Sequence, residues 1–286
     1  RVPVFGFHRV EPPRGLEMTR LSPVRFRTVL KLVASSGMPV APDPGDQRVT
    51  LTFDDGLACI GQYALPELQT RGWGGIVFLI PSAMGGRDNW DVRILGRPRP
   101  MMTWDEARAW AACGIEFGSH SMTHPDLTLL SPRSLTAELT DSRTMIEDKL
   151  GKPVRYLSYP YGRHNERVRQ AARDAGYEAA FAITPSADAP SNPFAIPRLM
   201  VGGLTTLREV SAALRESPGE GPWTGPASWK RRFVHSLNAG SATVSAWRRA
   251  RLQGQVLTGD ANRQMRQFDS KRQSSLKLEK VQTRQP

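Results

Sequence analysis

Short β-branched or aromatic runs alternate with helical patterns over residues 2–216, and this alternation constrains the fold more than any other feature. Seven runs predict strands, at residues 2–8, 49–53, 75–80, 115–118, 154–159, 178–183 and 196–201. Strands that alternate with helices form a parallel sheet covered by helices, either doubly wound or closed. The count favours closure, so we expect an α/β fold, a distorted (β/α) barrel of about seven parallel strands.

Helix boundaries are marked by local signals. Capping boxes at residues 103–106 and 206–209 predict two helix starts. Ser131, followed by proline, opens the longest helix, which is expected to end at Gly151. Asn165 is expected to cap a further helix. Residues after each strand meet at one face of such a barrel, which is where functional side chains are expected.

The composition changes near residue 217. A linker rich in proline and glycine begins there, and residues 217–286 contain 13 Lys/Arg against 4 Asp/Glu, in a chain whose net charge is +12. We therefore predict a domain over residues 1–216 and a basic, partly disordered extension over 217–286. Such an extension attracts anionic polymers or a membrane surface, and charge alone does not choose between them.

Several protein classes are disfavoured. The 286 residues are 39% hydrophobic, a value typical of a globular protein. Cys59 and Cys113 belong to no metal-binding pattern. No uncharged apolar window of 18 residues predicts a spanning helix, and no signal-peptide pattern opens the chain. Because the chain begins with Arg1, an N-terminal piece is expected to be missing, so cytoplasmic and cell-envelope locations both remain open.

Two adjacent carboxylates, Asp54 and Asp55, follow the strand over residues 49–53 directly. They repel each other unless they are solvated or a cation neutralises one of them. Consecutive residues at a strand end also point in different directions, so one carboxylate can bind a metal while the other faces the reacting water. An ordinary Asp-Asp-Gly turn is the alternative for this motif alone.

His120 and His124 follow the strand over residues 115–118. Histidines four residues apart in a helical turn lie on one face and match the bite of a divalent metal. The motif alone is weak, but both motifs follow strands and hence lie on the same face of the sheet. Two histidines and a carboxylate are a common catalytic zinc shell, suited to hydrolysis of an amide or ester.

These motifs carry a family resemblance. The segment TFDDG, then SHSMTHPDL, then Tyr159-Pro160-Tyr161-Gly162, in this order, resembles the NodB-homology polysaccharide deacetylases of carbohydrate esterase family 4. The resemblance spans about residues 2–205. It implies a metal-dependent hydrolase that removes N-acetyl groups from an N-acetylated polysaccharide or oligosaccharide.

Residue roles follow from the resemblance by position. Asp54 is implied as the general base, and Asp55, His120 and His124 as the metal ligands. The metal is implied to be Zn²⁺, with Co²⁺ or Ni²⁺ as alternatives. The backbone N–H of Tyr161 is implied to help hold the oxyanion, which needs aimed donors.

The chain departs from the family pattern in two places. Ser158 stands where an arginine usually orients the catalytic aspartate, so Arg198 is a candidate for that role. The late histidine that protonates the leaving amine is absent. His8 at the end of the first strand resembles the histidine that some members use instead, although a packed histidine is the alternative. Trp90 and Arg198 are predicted to contact substrate.

Two other functions compete with the enzyme. The departures are also compatible with a glycan-binding homologue that has lost efficient turnover. The basic extension suggests nucleic-acid binding, but the chain lacks the signature motifs of that class, and no specific nucleic acid is expected.

Overall fold

A computed structural model describes residues 3–13, 19–44, 48–88, 98–183 and 192–215. Eight of its strands form one parallel sheet in the order β10-β1-β4-β5-β6-β7-β8-β9, and β2 pairs separately with β3. The strands are β1 (Val4–Phe7), β2 (Arg9–Val10), β3 (Arg20–Leu21), β4 (Thr50–Phe53), β5 (Ile76–Leu79), β6 (Glu116–Ser119), β7 (Tyr156–Ser158), β8 (Ala179–Ala182), β9 (Ile196–Pro197) and β10 (Leu199–Met200).

The sheet is a nearly closed (β/α) barrel, as predicted, but it has eight strands. The single run predicted over residues 196–201 is divided at Arg198, which separates the two edge strands β9 and β10. The Arg198 N–H donates to the Ala182 carbonyl on one edge, and the Val201 N–H donates to the Gly6 carbonyl on the other. One continuous segment therefore completes the barrel by pairing with both of its free edges.

Side chains alternate between two cores, because successive residues of a strand face opposite sides of the sheet. The larger core fills the space between sheet and helices and includes Phe5, Leu51 and Leu157. The smaller core fills the barrel interior; its members are Val4, Ile76, Phe78, Tyr156, Ala179, Phe181 and Ile196.

Two glycines make room in the interior. A Cβ at Gly118 would lie 2.6 Å from the ring of Phe78, and a Cβ at Gly6 would collide with the side chain of Met200. Interior space is therefore shared between small residues and their large neighbours across the strands.

Seven α-helices lie within the described ranges. They are α1 (Pro23–Ser35), α2 (Ala58–Tyr63), α3 (Leu65–Gln69), α4 (Trp104–Ala112), α5 (Pro132–Leu150), α6 (Glu166–Asp174) and α7 (Leu207–Arg215). None of these helices is long and apolar enough to cross a membrane.

The predicted capping signals are confirmed where they fall on described residues. The capping box of α4 joins Thr103 and Glu106 reciprocally. Ser131 caps α5, which ends at Gly151 with a left-handed φ of 66°. The Asn165 side chain accepts a hydrogen bond at the start of α6. The extension over residues 217–286 lies outside the described residues, so the predicted domain division stays a prediction.

The helix α5 supplies a direct test of the outer core. Leu139 of α5 is fully buried, whereas Leu129 just before this helix is 66% exposed. We expect Leu139→Ala to lower the free energy of unfolding by about 2–5 kcal/mol, because it removes apolar contacts and leaves a cavity. The matched control Leu129→Ala should change it by less than about 0.5 kcal/mol. Urea unfolding measures both, and equal changes would contradict the described packing.

Candidate metal centre and active site

The predicted site residues converge at the carboxyl end of the barrel strands. His8 follows β1, Asp54 and Asp55 follow β4, and His120 follows β6. Backbone hydrogen bonds extend the sheet into these positions: the Asp54 N–H donates to Phe7, and the His120 N–H donates to Leu79. Because the strands are parallel, the residues that follow them meet at one face.

Asp55, His120 and His124 form a compact group of potential ligands. The Asp55 Oδ1 atom lies 3.7 Å from His120 Nε2 and 3.8 Å from His124 Nε2. All three side chains are buried, and the three ligand atoms lie within 4.8 Å of one another. These separations are close to those of atoms that bind one ion at about 2.0–2.2 Å each.

The surroundings of His120 also suit a metal ligand. Its Nδ1 atom lies 2.7 Å from the Ser158 carbonyl oxygen, which favours a proton on Nδ1 and leaves Nε2 as the ligand atom. Burial lowers the pKa of His120, although the nearby Asp54 carboxylate opposes this effect. The neutral imidazole is the form that binds metals. The group therefore fits a divalent ion by donor type, by spacing and by the contact between His120 and the Ser158 carbonyl.

Asp54 faces a different partner. Both of its carboxylate oxygens accept hydrogen bonds from the Arg198 guanidinium, at 2.8 and 2.9 Å. The same guanidinium donates to Thr52 Oγ1 and to Ser158 Oγ, and its side chain has no exposed area. Arg198 thus contacts Ser158, the residue that stands where an arginine usually orients the catalytic aspartate.

The ionisation of Asp54 reflects this contact. Burial has the largest single effect and raises the pKa of the carboxyl. The charges of Arg198, His120 and His8 and the hydrogen bonding from Arg198 together outweigh burial, so the pKa lies below its ordinary value. Asp54 is therefore held as a carboxylate, the form that a general base requires.

Four residues of the site have left-handed backbone conformations, which non-glycine residues seldom adopt. They are Asp55, Ser121, His124 and Tyr161, with φ between 58° and 72°, and no other non-glycine residue in the described ranges has a positive φ. Such conformations persist only where surrounding contacts impose them. The sequence gives no signal of them, because none of the four is a glycine.

The loop between the two histidines is held by serines to which the sequence analysis assigned no role, two of them within the SHSMTHPDL motif. The His124 N–H donates to Ser121 Oγ, and the Ser121 N–H donates to Ser119 Oγ. Ser119 Oγ also lies 2.8 Å from Ser142 Oγ of α5. These hydrogen bonds connect His124 to the buried face of a long helix.

Glu138 of α5 makes a second connection to this loop. It accepts hydrogen bonds from both the backbone N–H and the hydroxyl of Thr123. The sequence indicated no role for Glu138 beyond its position on the helix that follows the loop.

His8 lies at the mouth of the same cleft. Its Nε2 atom is 3.9 Å from Asp54 Oδ2, and a quarter of its side chain is exposed. The cleft is lined by His8, Arg9, Thr19, Asp54, Asp55, Leu57, Asp88, His120, His124, Tyr159, Tyr161 and Ile183. Sequence reasoning missed Arg9 of β2, Thr19 just before β3, and Asp88, because none of them belongs to a recognised motif. Trp90 lies outside the described residues.

Comparisons with known proteins agree on one family. The family described as Polysaccharide deacetylase matches residues 41–180. YxkH of Bacillus subtilis, which is assigned by name to the polysaccharide deacetylases, is 24% identical over 196 residues. That alignment covers 65% of this chain and 66% of YxkH, slightly under two thirds of its length.

Solved structures share the fold. The deacetylase PplD of Streptococcus pyogenes, solved in complex with acetate, superposes with a TM-score of 0.65 at 18% identity, covering 75% of this chain and 98% of PplD. IcaB from Ammonifex degensii gives a TM-score of 0.64 at 21% identity, over 74% of this chain and 97% of IcaB. Through residues 41–180, the chain therefore belongs to the polysaccharide deacetylase family, whose members carry the NodB-homology domain of carbohydrate esterase family 4.

Proposed function

We propose that the chain is a metal-dependent N-deacetylase that hydrolyses the acetamido groups of an N-acetylated polysaccharide or oligosaccharide. The observation that carries this proposal is the convergence of Asp55, His120 and His124 beside the ionised Asp54 in one cleft. Zn²⁺ suits two imidazoles and one carboxylate best, and Co²⁺ or Ni²⁺ are the alternatives.

Asp55, His120 and His124 would hold the ion. A divalent ion in such a site lowers the pKa of a bound water and polarises a carbonyl. Asp54 is proposed to take the proton from the attacking water, since it is ionised, fixed and adjacent to the ligand group. The backbone N–H of Tyr161 is proposed to donate to the developing oxyanion.

Arg198 is proposed as the residue that orients Asp54. Its bidentate contact fixes the plane of the carboxylate and leaves less freedom for rotation. Direct contact of Arg198 with substrate, also predicted from the sequence, is less well supported, because the side chain is fully buried behind Asp54. Contact of Trp90 with substrate stays a prediction.

His8 is proposed as the general acid. It is partly exposed and lines the cleft beside Asp54, the proposed base. The packed-histidine alternative is less well supported, because His8 lines the cleft.

The glycan-binding alternative was motivated by the missing arginine and the missing late histidine. The described geometry offers Arg198 and His8 as replacements, which favours an active enzyme. The contribution of the basic extension to binding anionic polymers or membranes stays a prediction.

The overall activity is tested by acetate release. N-acetylated glycans of different linkage should yield acetate in the presence of Zn²⁺ or Co²⁺, and a chelator should abolish the release until metal is restored. Bound metal without acetate release from any glycan would favour the binding-protein alternative.

The division between ligation and proton transfer predicts separable variants. Asp55→Ala and His120→Ala should lose both metal and activity, because each removes a ligand. Asp54→Asn should keep stoichiometric metal while losing catalysis, because an amide cannot accept the proton. Metal content by mass spectrometry and acetate release measure the two properties. Equal metal loss in all three variants would refute the assignment of Asp54 as the base.

The proposed acid predicts a dependence on the leaving group. His8→Ala should keep metal and fold, but amide hydrolysis should fall by about 10² to 10⁴, the usual cost of losing a general acid. An activated aryl acetate should be hydrolysed at nearly the original rate, because its leaving group needs little protonation. His164→Ala, which changes a histidine that is not a cleft-lining residue, is the matched control and should leave both rates unchanged. Equal losses on amide and ester would assign His8 a structural role.

Orientation by Arg198 predicts a loss in turnover rather than in binding. Arg198→Lys keeps the positive charge but cannot make the planar pair of hydrogen bonds. We expect kcat to fall by about 10-fold or more, since a misaligned group loses rate steeply with small displacements, while KM and metal content stay near the original values. Steady-state kinetics and metal analysis of the folded variant decide the matter. Unchanged kcat would contradict the orienting role.

A further inference from the structure

A buried ion pair outside the proposed catalytic set joins the two loops that bear His124 and Tyr161. Arg163 Nη1 lies 2.6 Å from Asp126 Oδ2. The Asp126 side chain is 1% exposed, and that of Arg163 is 29% exposed. A carboxylate at this depth is stable only with a partner, so the ion pair holds the two loops together.

The pair occupies equivalent positions in both loops. Asp126 stands two residues after His124, and Arg163 stands two residues after Tyr161. The rings of His124 and Tyr161 themselves contact each other, with centroids 4.7 Å apart. A displacement of one loop relative to the other would therefore first change the contact between these two rings.

Each side of the pair is rigidly connected to its functional residue. On one side, Asp126 Oδ1 accepts from the Thr128 N–H and hydroxyl, which fixes the turn after His124. On the other side, the Gly162 N–H donates to Tyr159 and the Arg163 N–H donates to Pro160, which fixes the turn around Tyr161. Gly162 cannot easily shift, because a Cβ there would lie 2.7 Å from Ile183.

We propose that the Asp126–Arg163 pair is a positioning clamp that sets the distance between the backbone N–H of Tyr161 and the metal ligand His124. This inference rests on the proposed deacetylase function, in which the substrate oxygen must meet the metal and the Tyr161 N–H together. Neither residue of the clamp lines the cleft, so both act through the residues that do.

The neighbouring Arg167 offers a matched control. It also connects α6 to the same loop, through hydrogen bonds to the carbonyl oxygens of Thr128 and Leu130. These contacts lie beyond Asp126 and do not involve its carboxylate. Arg167→Met therefore removes an arginine of the same region without breaking the clamp.

The first test is kinetic. Arg163→Met should lower kcat by about 10²-fold, the loss that a displacement near 1 Å can cause, with KM and metal content near the original values. Arg163→Lys should recover most of the rate, because a single donor suffices for the hydrogen bond that the Arg163 side chain donates to Asp126. Arg167→Met should keep kcat within about threefold. Equal losses in the two Met variants, or no recovery with Lys, would overturn the proposal.

The second test uses acetate as a probe and needs no turnover. The Co²⁺-loaded protein is titrated with acetate while its visible absorption is followed. Arg163→Met should leave the affinity for Co²⁺ unchanged but weaken acetate binding by about tenfold, the factor that corresponds to about 1.4 kcal/mol of lost hydrogen bonding. Unchanged acetate affinity in a variant that binds Co²⁺ would overturn the clamp.

The third test uses the metal-free protein. Hydrogen exchange should accelerate in peptides covering both 122–130 and 159–165 in Arg163→Met, but not in the second segment in Arg167→Met. Because this measurement needs neither metal nor substrate, it distinguishes a failure of the clamp from a failure of the proposed deacetylase function. An original protein that binds no Co²⁺ would refute the proposed function, whereas unchanged exchange in 159–165 of Arg163→Met would refute the clamp.

Discussion

The barrel and the site both depend on the ion pair between Arg198 and Asp54. The charges of both residues are removed from solvent, which costs several kcal/mol per ion unless the partners satisfy each other. The bidentate geometry, with further hydrogen bonds to Thr52 and Ser158, provides that compensation. The rings of Phe78 and Phe181 lie within 6 Å of the guanidinium and exclude water from it. The barrel interior is therefore polar at the end that carries the site and apolar farther from it.

The same residue explains how the sheet closes. Arg198 separates the last two strands, one of which pairs with β8 and the other with β1. A residue at this junction projects into the interior beneath the end of β4, where Asp54 begins the loop. Closure of the barrel and orientation of the carboxylate are therefore achieved by one short segment. Ser158, the last residue of β7, stands where the family usually has an arginine, and its hydroxyl accepts a hydrogen bond from Arg198.

The loops above the barrel are rigid for a different reason. Their left-handed residues are individually unfavourable, at about 1–3 kcal/mol each, so they persist only where neighbouring contacts offset this cost. The Ser119, Ser121 and Glu138 hydrogen bonds supply such contacts around the histidines, and the Asp126–Arg163 pair supplies one between the loops. Because several hydrogen bonds together determine one geometry, they hold the potential ligand atoms close together.

The parallel (β/α) barrel and the grouping of Asp54, Asp55, His120 and His124 were accessible from the sequence, because strand patterns are local and parallel strands bring their ends to one face. Residues 41–180 also carry motifs specific enough to identify the family. The eighth strand was not accessible, since nothing local distinguishes Arg198 inside an apolar run from an ordinary strand residue. The sequence offered Arg198 as a candidate partner of Asp54, but only tertiary structure decided its two-bond contact with that carboxylate. Tertiary structure alone also decided the left-handed backbone at Ser121 and Tyr161 and the pairing of Asp126 with Arg163. Each of them depends on contacts between segments far apart in the chain, and such contacts produce no periodic pattern in the sequence.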